Sequence, residues 1–483
     1  MVALREILEG VKTTQIHGNT DIEVSTICID SRKCVKNSLF AAIVGTNNDG
    51  HEYIDKAIEL GAKVIVCQIF PEILRNNTTY ILVEDSAEAI GYITSNFFDN
   101  PSHSLKLIGV TGTNGKTTTV TLLYQFFRSM SFSVGLFSTI KILINDEEYP
   151  ATHTTPDTIE LNRIMQKMVE AGCEYCFMEV SSHAIDQKRI AGLFFTGAIF
   201  TNITQDHLDY HETMERYIQA KQKFFDTLPA TSFALTNADD RNGNIMLQNT
   251  KAKRYTYGLK KPANFKARVI SKQMEGMLLD FDNTEFWTSL IGEFNAYNLL
   301  AVYAVGIILG FDKMEILKEL SRQQPISGRF ERYCSDTGVF VIVDYAHTPD
   351  AVANVLTTIN DIRMGNEKVI TIIGAGGDRD KTKRPLMAKE AAKYSDMLII
   401  TNDNPRTEDP LMIIEDIKKG LVGLTTRSIV NPDRKEAIRT ACLMAKKGDI
   451  VLIAGKGHEK YQEVNGVRTP FDDMSIAVNF FKN

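Results

Sequence analysis

Residues 105–119 read Leu-Lys-Leu-Ile-Gly-Val-Thr-Gly-Thr-Asn-Gly-Lys-Thr-Thr-Thr. The apolar run predicts a strand over 105–110. Behind it Val120, Leu123, Tyr124 and Phe127 recur at helical spacing. A strand, a glycine loop and a helix in that order commit this part of the chain to an α/β core. They also build a cradle for anions. Glycines at 112 and 115 let backbone N–H groups turn inward, and the helix N-terminus adds partial positive charge. Lys116 can reach outer phosphates, and the Thr117 hydroxyl is placed to hold a magnesium ion. The spacing departs from the common phosphate loop, because Val110 stands where a glycine is expected. A turn with no ligand is the competing reading, and the complete strand–Gly-Lys-Thr–helix order weighs against it.

Around this loop lie 483 residues, enough for about three domains. Apolar residues make up 43% and charged residues 24%, which is globular composition with room for several cores. The net charge of −6 offers no basic field for nucleic acid and no cationic block for a membrane surface. The N-terminal residues carry no signal-peptide pattern. The longest apolar run, 299–311, is too short to span a bilayer. A soluble, cytoplasmic, monomeric protein is expected. Of seven cysteines only Cys173 and Cys176 stand at C-x-x-C spacing. A helix precedes them and a strand follows, the reverse of a redox motif, so two reduced structural thiols are expected.

From 1 to 98 short strands (25–30, 38–43, 63–68, 80–83) alternate with helices (53–60, 87–97). Asp30-Ser31-Arg32 sits just past a strand, and Asn100-Pro-Ser-His103 reads as a linker. In the next region a predicted strand over 175–180 delivers Glu179 at its C-terminal end, where ligands of open α/β sheets collect. Glu179 is therefore placed to coordinate a nucleotide-bound metal. Another strand runs out into Asp206, His207, Asp209 and His211. That set suits a hard cation better than zinc. Lys221, on a helix over 214–228, would by position alone be an exposed lysine. Trp287 is expected in a core. Asn295 and Asn298, three apart, share one face of a helix.

Beyond 328 four predicted strands each end in a polar loop: Asp344–Asp350, Gly374–Asp380, Asp403–Asp409 and Gly455–Glu459. If the strands are parallel, the four loops meet on one sheet edge. Arg379 and Arg406 then offer guanidiniums for carboxylates, and Asp403 and Glu459 offer carboxylates for an ammonium. A site of both signs suits a zwitterionic amino acid.

Together Gly-Thr-Asn-Gly-Lys-Thr-Thr (112–118), Glu-Val-Ser-Ser-His (179–183), Asp206-His207, Asp-Tyr-Ala-His (344–347) and Gly-Lys-Gly-His (455–458) resemble the Mur ligase family over essentially the whole chain. These are ATP-dependent amide-bond ligases of peptidoglycan precursor synthesis. The resemblance implies an α/β protein of three domains: a UDP-sugar-binding domain (1–98), a central P-loop ATP-binding domain with a parallel sheet (99–327) and a Rossmann-like amino-acid-binding domain (328–483). It implies that Gly112, Thr113, Asn114, Gly115, Lys116, Thr117 and Thr118 hold ATP, with Asn295, Asn298, Arg329, Asp344 and His347. It puts Thr117, Glu179, His207 and a carbamylated Lys221 on Mg2+, which reverses the positional reading of Lys221. It gives Ser31, Thr154, Thr155, Ser181, Gln187 and Arg189 to a UDP-N-acetylmuramoyl-dipeptide acceptor.

Asp403-Asn404-Pro405-Arg406 resembles the family signature for meso-diaminopimelate, which is lysine with a second carboxylate that a guanidinium can pair. Arg379, Gly455 and Glu459 match the same pocket. Thr46-Asn-Asn48 lies where members vary in the uridine loop. Competing expectations are lysine as the added amino acid, a folylpolyglutamate or cyanophycin-type ligase, a partner-coupled P-loop ATPase and a small-molecule kinase. The N-terminal region and Asp-Asn-Pro-Arg argue against a folylpolyglutamate or cyanophycin-type ligase, and lysine-adding members usually differ at the arginine of that run. The zwitterion cleft argues against the ATPase, and a kinase would leave a phosphorylated product where a ligase leaves free phosphate.

Overall fold

A computed structural model describes residues 1–45, 48–151, 153–363 and 365–482. Thr46 and Asn47 of the uridine-loop segment therefore lie outside the described residues. Among the described residues three sheets of five or more strands follow one another along the chain. The first has five strands in the order Gln15–His17, Thr79–Leu82, Ala62–Cys67, Ser38–Ala41, Thr26–Cys28, parallel except at the Gln15–His17 edge. Apolar side chains fill both faces, as parallel strands covered by helices require. The four strands expected here are present. Gln15–His17 was not foreseen, because a short, fully exposed edge strand carries no apolar pattern.

The expected linker at 100–103 is instead a helical turn, Pro101–Ser104. Proline occupies its first position, where no N–H is needed. Ser102 is buried and accepts a hydrogen bond from the Phe194 N–H at 3.0 Å. The segment is packed rather than solvated.

The central sheet has eleven strands. Its middle runs Val134–Phe137, Tyr175–Glu179, Lys106–Thr111, Gly197–Phe200, Phe233–Asn237, all parallel. The phosphate-loop strand is thus flanked by the strands that carry Glu179 and the 201–207 segment. On one face the Lys116–Ser129 helix buries Phe126 and Phe127 against Tyr175, Phe177 and Phe311. Trp287, expected in a core, lies on the outermost strand, Thr284–Thr288, and is 39% exposed. Strand alternation gives the core face to Phe286 and turns the Trp287 ring to the opposite face.

The third sheet has the order Glu331–Cys334, Phe340–Asp344, Ile450–Ala454, Val369–Ile373, Met397–Ile400, Arg427–Val430. All neighbours are parallel except the first pair. The four polar loops therefore leave one edge together. That edge faces the central sheet's phosphate loop. Among the described residues no helix is long and apolar enough to cross a membrane.

Candidate active site

The phosphate loop takes backbone angles that demand glycine. Gly112 has φ 148° and Gly115 has φ 87°. A Cβ on Gly112 would lie 1.9 Å from Thr201 Oγ1, so the neighbouring strand end presses directly on the loop. Asn114 is held at both ends. Its N–H donates to Asn202 Oδ1 at 3.0 Å, and its Nδ2 donates to Asp350 Oδ2 at 3.1 Å. Lys116 Nζ curls back onto the carbonyls of Gly112 (2.9 Å) and Thr113 (2.8 Å). Burial lowers its pKa, so an arriving phosphate would restore its full charge. Thr117 Oγ1 accepts from Arg329 Nη2 at 3.1 Å, across the domain boundary.

Glu179 is fully buried at its strand end. Its carboxylate accepts from the Thr139 N–H at 2.7 Å and from Thr139 Oγ1 at 3.1 Å. Thr139 in turn donates to Thr154 Oγ1, its hydroxyl shared between the two acceptors. Asp206 is buried between two domains. Its Oδ1 lies 3.5 Å from Lys383 Nζ and its Oδ2 3.9 Å from His347 Nε2. Burial opposes its ionisation, yet His207, Lys383, His347 and Lys116 outweigh that and hold the carboxyl well below its usual range. Burial lowers His207 to about 3 and His347 to about 4, so both imidazoles are neutral at pH 7.

Lys221 is 1% exposed, which overturns the positional expectation of a solvated lysine. Its Nζ donates to the Gly112 carbonyl at 2.9 Å. Burial, then the charge of Lys116, pushes its pKa far below the usual value. The free amine is the form that can react with carbon dioxide. Cys173 and Cys176 are buried, and burial raises both thiols, in keeping with structural roles.

Two cavities meet at the loop. One of about 260 Å³ runs from Lys116, Glu179 and Lys221 to Arg379, Arg406 and Glu459. The other, about 390 Å³, lies between Thr118, Tyr297, Asn298, Asp344 and Val355. Asn114, Gly115, Arg329 and Tyr345 line both. The Arg329 guanidinium stacks over the Tyr345 ring at 4.6 Å. Asp344 accepts from the Phe330 N–H at 2.7 Å, and burial raises its pKa to about 6.

Most expected residues line these cavities. Thr113, Thr154, Ser181, His207, His347, Asp403, Asn404 and Gly455 line the first, with those already named. Others stand one layer back. Asn295 receives Asn298 Nδ2 at 3.2 Å and donates to the Ile291 carbonyl. Thr155 donates to the Glu179 carbonyl at 2.8 Å. Arg189 is held by Gln187 Oε1 and the Thr155 carbonyl. Pro405 lines neither cavity; its carbonyl accepts from the Glu408 N–H at 3.0 Å and backs Gly377. Ser31 starts a short turn in the N-terminal domain and lines neither cavity.

Sequence reasoning missed Thr139 and Asn202, and named Asp350 only as the end of a polar loop. Thr139 and Asn202 follow strands of the central sheet, so the strand-end rule that found Glu179 could have found them. Arg406 has φ 53° and its Nη1 donates to the Gly377 carbonyl at 2.6 Å. Pairing of neighbouring loops sets that geometry, and no sequence signal carries it.

Known proteins share this architecture. Residues 23–98 match the Mur ligase family, catalytic domain, residues 110–306 the Mur ligase middle domain, and residues 328–457 the Mur ligase, glutamate ligase domain. The UDP-N-acetylmuramoyl-L-alanyl-D-glutamate--2,6-diaminopimelate ligase of Cytophaga hutchinsonii is 53% identical over 475 residues, covering 98% of each chain. Its namesake from Bacteroides fragilis is 53% identical over 482 residues, covering 99% of each. A solved structure titled as the same ligase matches with a TM-score of 0.71 at 30% identity, covering 100% of this chain and 99% of that one. With domains matched in order and identity above one half along nearly its whole length, this chain belongs to the Mur ligase family of ATP-dependent amide-bond ligases.

Proposed function

We propose that the protein joins meso-2,6-diaminopimelate to the glutamyl carboxylate of UDP-N-acetylmuramoyl-L-alanyl-D-glutamate, with ATP cleaved to ADP and phosphate. The observation that carries this reading is that one cavity holds both ends of the reaction: Lys116 and Glu179 at one end, Arg406, Asp403 and Glu459 at the other. A guanidinium set among carboxylates fits a substrate whose far end bears both a carboxylate and an ammonium. The names of the relatives support the same substrates. In this reading 1–98 bind the UDP-sugar, 99–327 ATP and 328–483 the amino acid. ATP consumption belongs in the cytoplasm, and one chain carries every residue named, so a monomer suffices.

The glutamyl carboxylate takes the γ-phosphoryl group of ATP. The diaminopimelate amine attacks the resulting acyl phosphate, loses a proton and expels phosphate, leaving the amide. Lys116 and the loop amides stabilise charge on the transferring group. Arg329 bridges Thr117 and the nucleotide cavity, and Thr154 and Ser181 line the acceptor's approach. Asp403, Glu459, Arg406 and Arg379 orient the amino acid so that its free amine meets the carbonyl carbon of the acyl phosphate.

The residues also fit magnesium. Among the described residues no cluster of three His, Cys, Asp or Glu side chains could hold a metal alone. Magnesium bound with nucleotide needs no such cluster, because it keeps water and phosphate oxygens. The Thr117 hydroxyl, the Glu179 carboxylate, neutral His207 and a carbamylated Lys221 would hold it. Bound there, it would neutralise phosphate charge.

The test is phosphate release by the purified protein with ATP and the UDP-muramoyl dipeptide, with product mass. Release should require diaminopimelate, and the product should weigh the sum of acceptor and amino acid less one water. Equal release with lysine would overturn the substrate, and release without any amino acid would overturn the ligase.

A further inference from the structure

Behind the amino-acid end of the cavity lies a lysine that no substrate could touch. Lys456 follows Gly455 in the loop after the Ile450–Ala454 strand and has no solvent exposure. Its ammonium donates to Asn404 Oδ1 at 2.7 Å. It stands 3.6 Å from Asp403 Oδ1 and 3.5 Å from Glu459 Oε2. Asn404 closes the ring by donating its Nδ2 to Glu459 Oε2 at 2.6 Å. The rings of Tyr461 and Phe471 lie 5.6 and 6.0 Å from the ammonium and exclude water. An ammonium so enclosed is tolerated only where anionic and polar oxygens replace its hydration. Gly455 makes the approach possible. Its φ is 115°, and a Cβ there would lie 2.5 Å from Asp403 Oδ2.

We infer that Lys456 is a positioning residue for the incoming amino acid: from behind the wall it holds the Asp403 and Glu459 carboxylates at one spacing and reduces their joint charge to a single net negative, the complement of one substrate ammonium. The inference rests on the proposed reading that these two carboxylates receive diaminopimelate. They come from different loops, after the third and the last of the domain's parallel strands by position in the chain. Nothing covalent fixes their separation. Burial and the Asp403 charge both work against ionisation of Glu459. Without a cation the pair would take up a proton, and a carboxyl O–H would point where the ammonium needs an acceptor. Other cations nearby are committed elsewhere. Arg434 is paired with Asp473 at 2.7 Å, both fully enclosed. Arg468 is bound to Glu463 at 3.0 Å. Arg406 donates to the Gly377 carbonyl and faces the substrate.

The test is steady-state kinetics of full-length Lys456→Met and Lys456→Arg, varying ATP, UDP-acceptor and diaminopimelate in turn. Lys456→Met should raise the KM for diaminopimelate by about tenfold or more and leave the other two KM values within about twofold. Lys456→Arg, which keeps the charge, should recover part of the loss. A diaminopimelate KM within about twofold of the unsubstituted enzyme, or three KM values rising together, would overturn the inference. If Lys456→Met does not fold, Lys456→Gln read by the same split decides. Failure of the parent reading is visible in the unsubstituted enzyme, as phosphate release that ignores diaminopimelate. Failure of this inference is visible only in the variants, against an unsubstituted enzyme that works.

Discussion

Single residues at the cleft have charge states that burial sets. Lys116 and Lys221 are both pushed toward the neutral amine by burial, and the charge of Lys116 adds to the effect on Lys221. Lys116→Ala should cut kcat by roughly 100-fold or more, since it removes a donor aimed at developing phosphate charge. A fall in ATP affinity alone, at unchanged kcat, would contradict that role. Arg406→Ala should raise the KM for diaminopimelate by about 10- to 100-fold, the loss of a charge-assisted pair, with the KM for ATP unchanged. Parallel kinetics with each substrate varied distinguish the two.

Asp344 gives a stability prediction with a definite sign. Its folded pKa, about 6, lies above its ordinary value of 3.8. The folded state therefore holds the proton more tightly, and stability falls as pH rises from about 4 to about 6. Above that the cost is fully present, on the order of 3 kcal/mol. Asp344→Asn, which can still accept from the Phe330 N–H, should raise Tm at pH 8 and barely change it at pH 4. Thermal melts at the two pH values check this, and an equal gain at both would refute it.

At the scale of elements, the phosphate loop rests on an aromatic layer. Phe127 stands 4.4 Å from Tyr175, 5.0 Å from Phe177 and 5.4 Å from Phe311, centroid to centroid. Truncating a ring in such a layer costs about 3–5 kcal/mol. Phe127→Ala should lower Tm by several degrees while the surviving folded enzyme keeps its KM for ATP. Denaturant unfolding together with initial rates checks this, and a raised KM at unchanged stability would contradict it. The loop itself should tolerate nothing at 112, because Thr201 occupies the space a side chain would need. The helices and strands around it were legible from apolar periodicity, including all four strands of the C-terminal domain that carry the polar loops. Gln15–His17 and the packed turn Pro101–Ser104 were not. One is too short and exposed to show a pattern, and the other is helical only because Pro101 and Ser102 are buried against the central domain.

The whole molecule is held closed by contacts that cross domains. Arg329 reaches Thr117, Asp350 takes Asn114, and Lys383 and His347 flank Asp206. On the other side Lys188 pairs with Asp85 and Glu88 of the N-terminal domain at 2.6 and 2.7 Å. There Gly91 and Gly192 let two backbones touch. The C-terminal contacts involve the reacting loops themselves, so that domain is the one expected to open. Lys383→Ala should raise the KM values for ATP and diaminopimelate together, by about three- to tenfold, because it weakens closure that both substrates share. Small-angle scattering should show a larger radius of gyration for the variant without substrates. An unchanged radius with unchanged kinetics would remove Lys383 from the latch.

By itself the sequence determined the α/β class, the places along the chain of the main strands, and the phosphate loop with its lysine and threonine. Those features are local, since apolar spacing and a glycine loop act within a few residues of themselves. It also marked the strand-end loops that carry Glu179, Asp403 and Glu459. Only the tertiary structure decided that Lys221 is buried and Trp287 exposed, that Thr139 grips Glu179, and that Lys456 stands behind two carboxylates from separate loops. Each of these depends on which strands become neighbours and on how much water is excluded between them. Burial then pushes Lys116 and Lys221 toward the neutral amine and His207 and His347 toward the neutral imidazole. No pattern along the chain encodes that, because it is a property of contacts made across hundreds of residues.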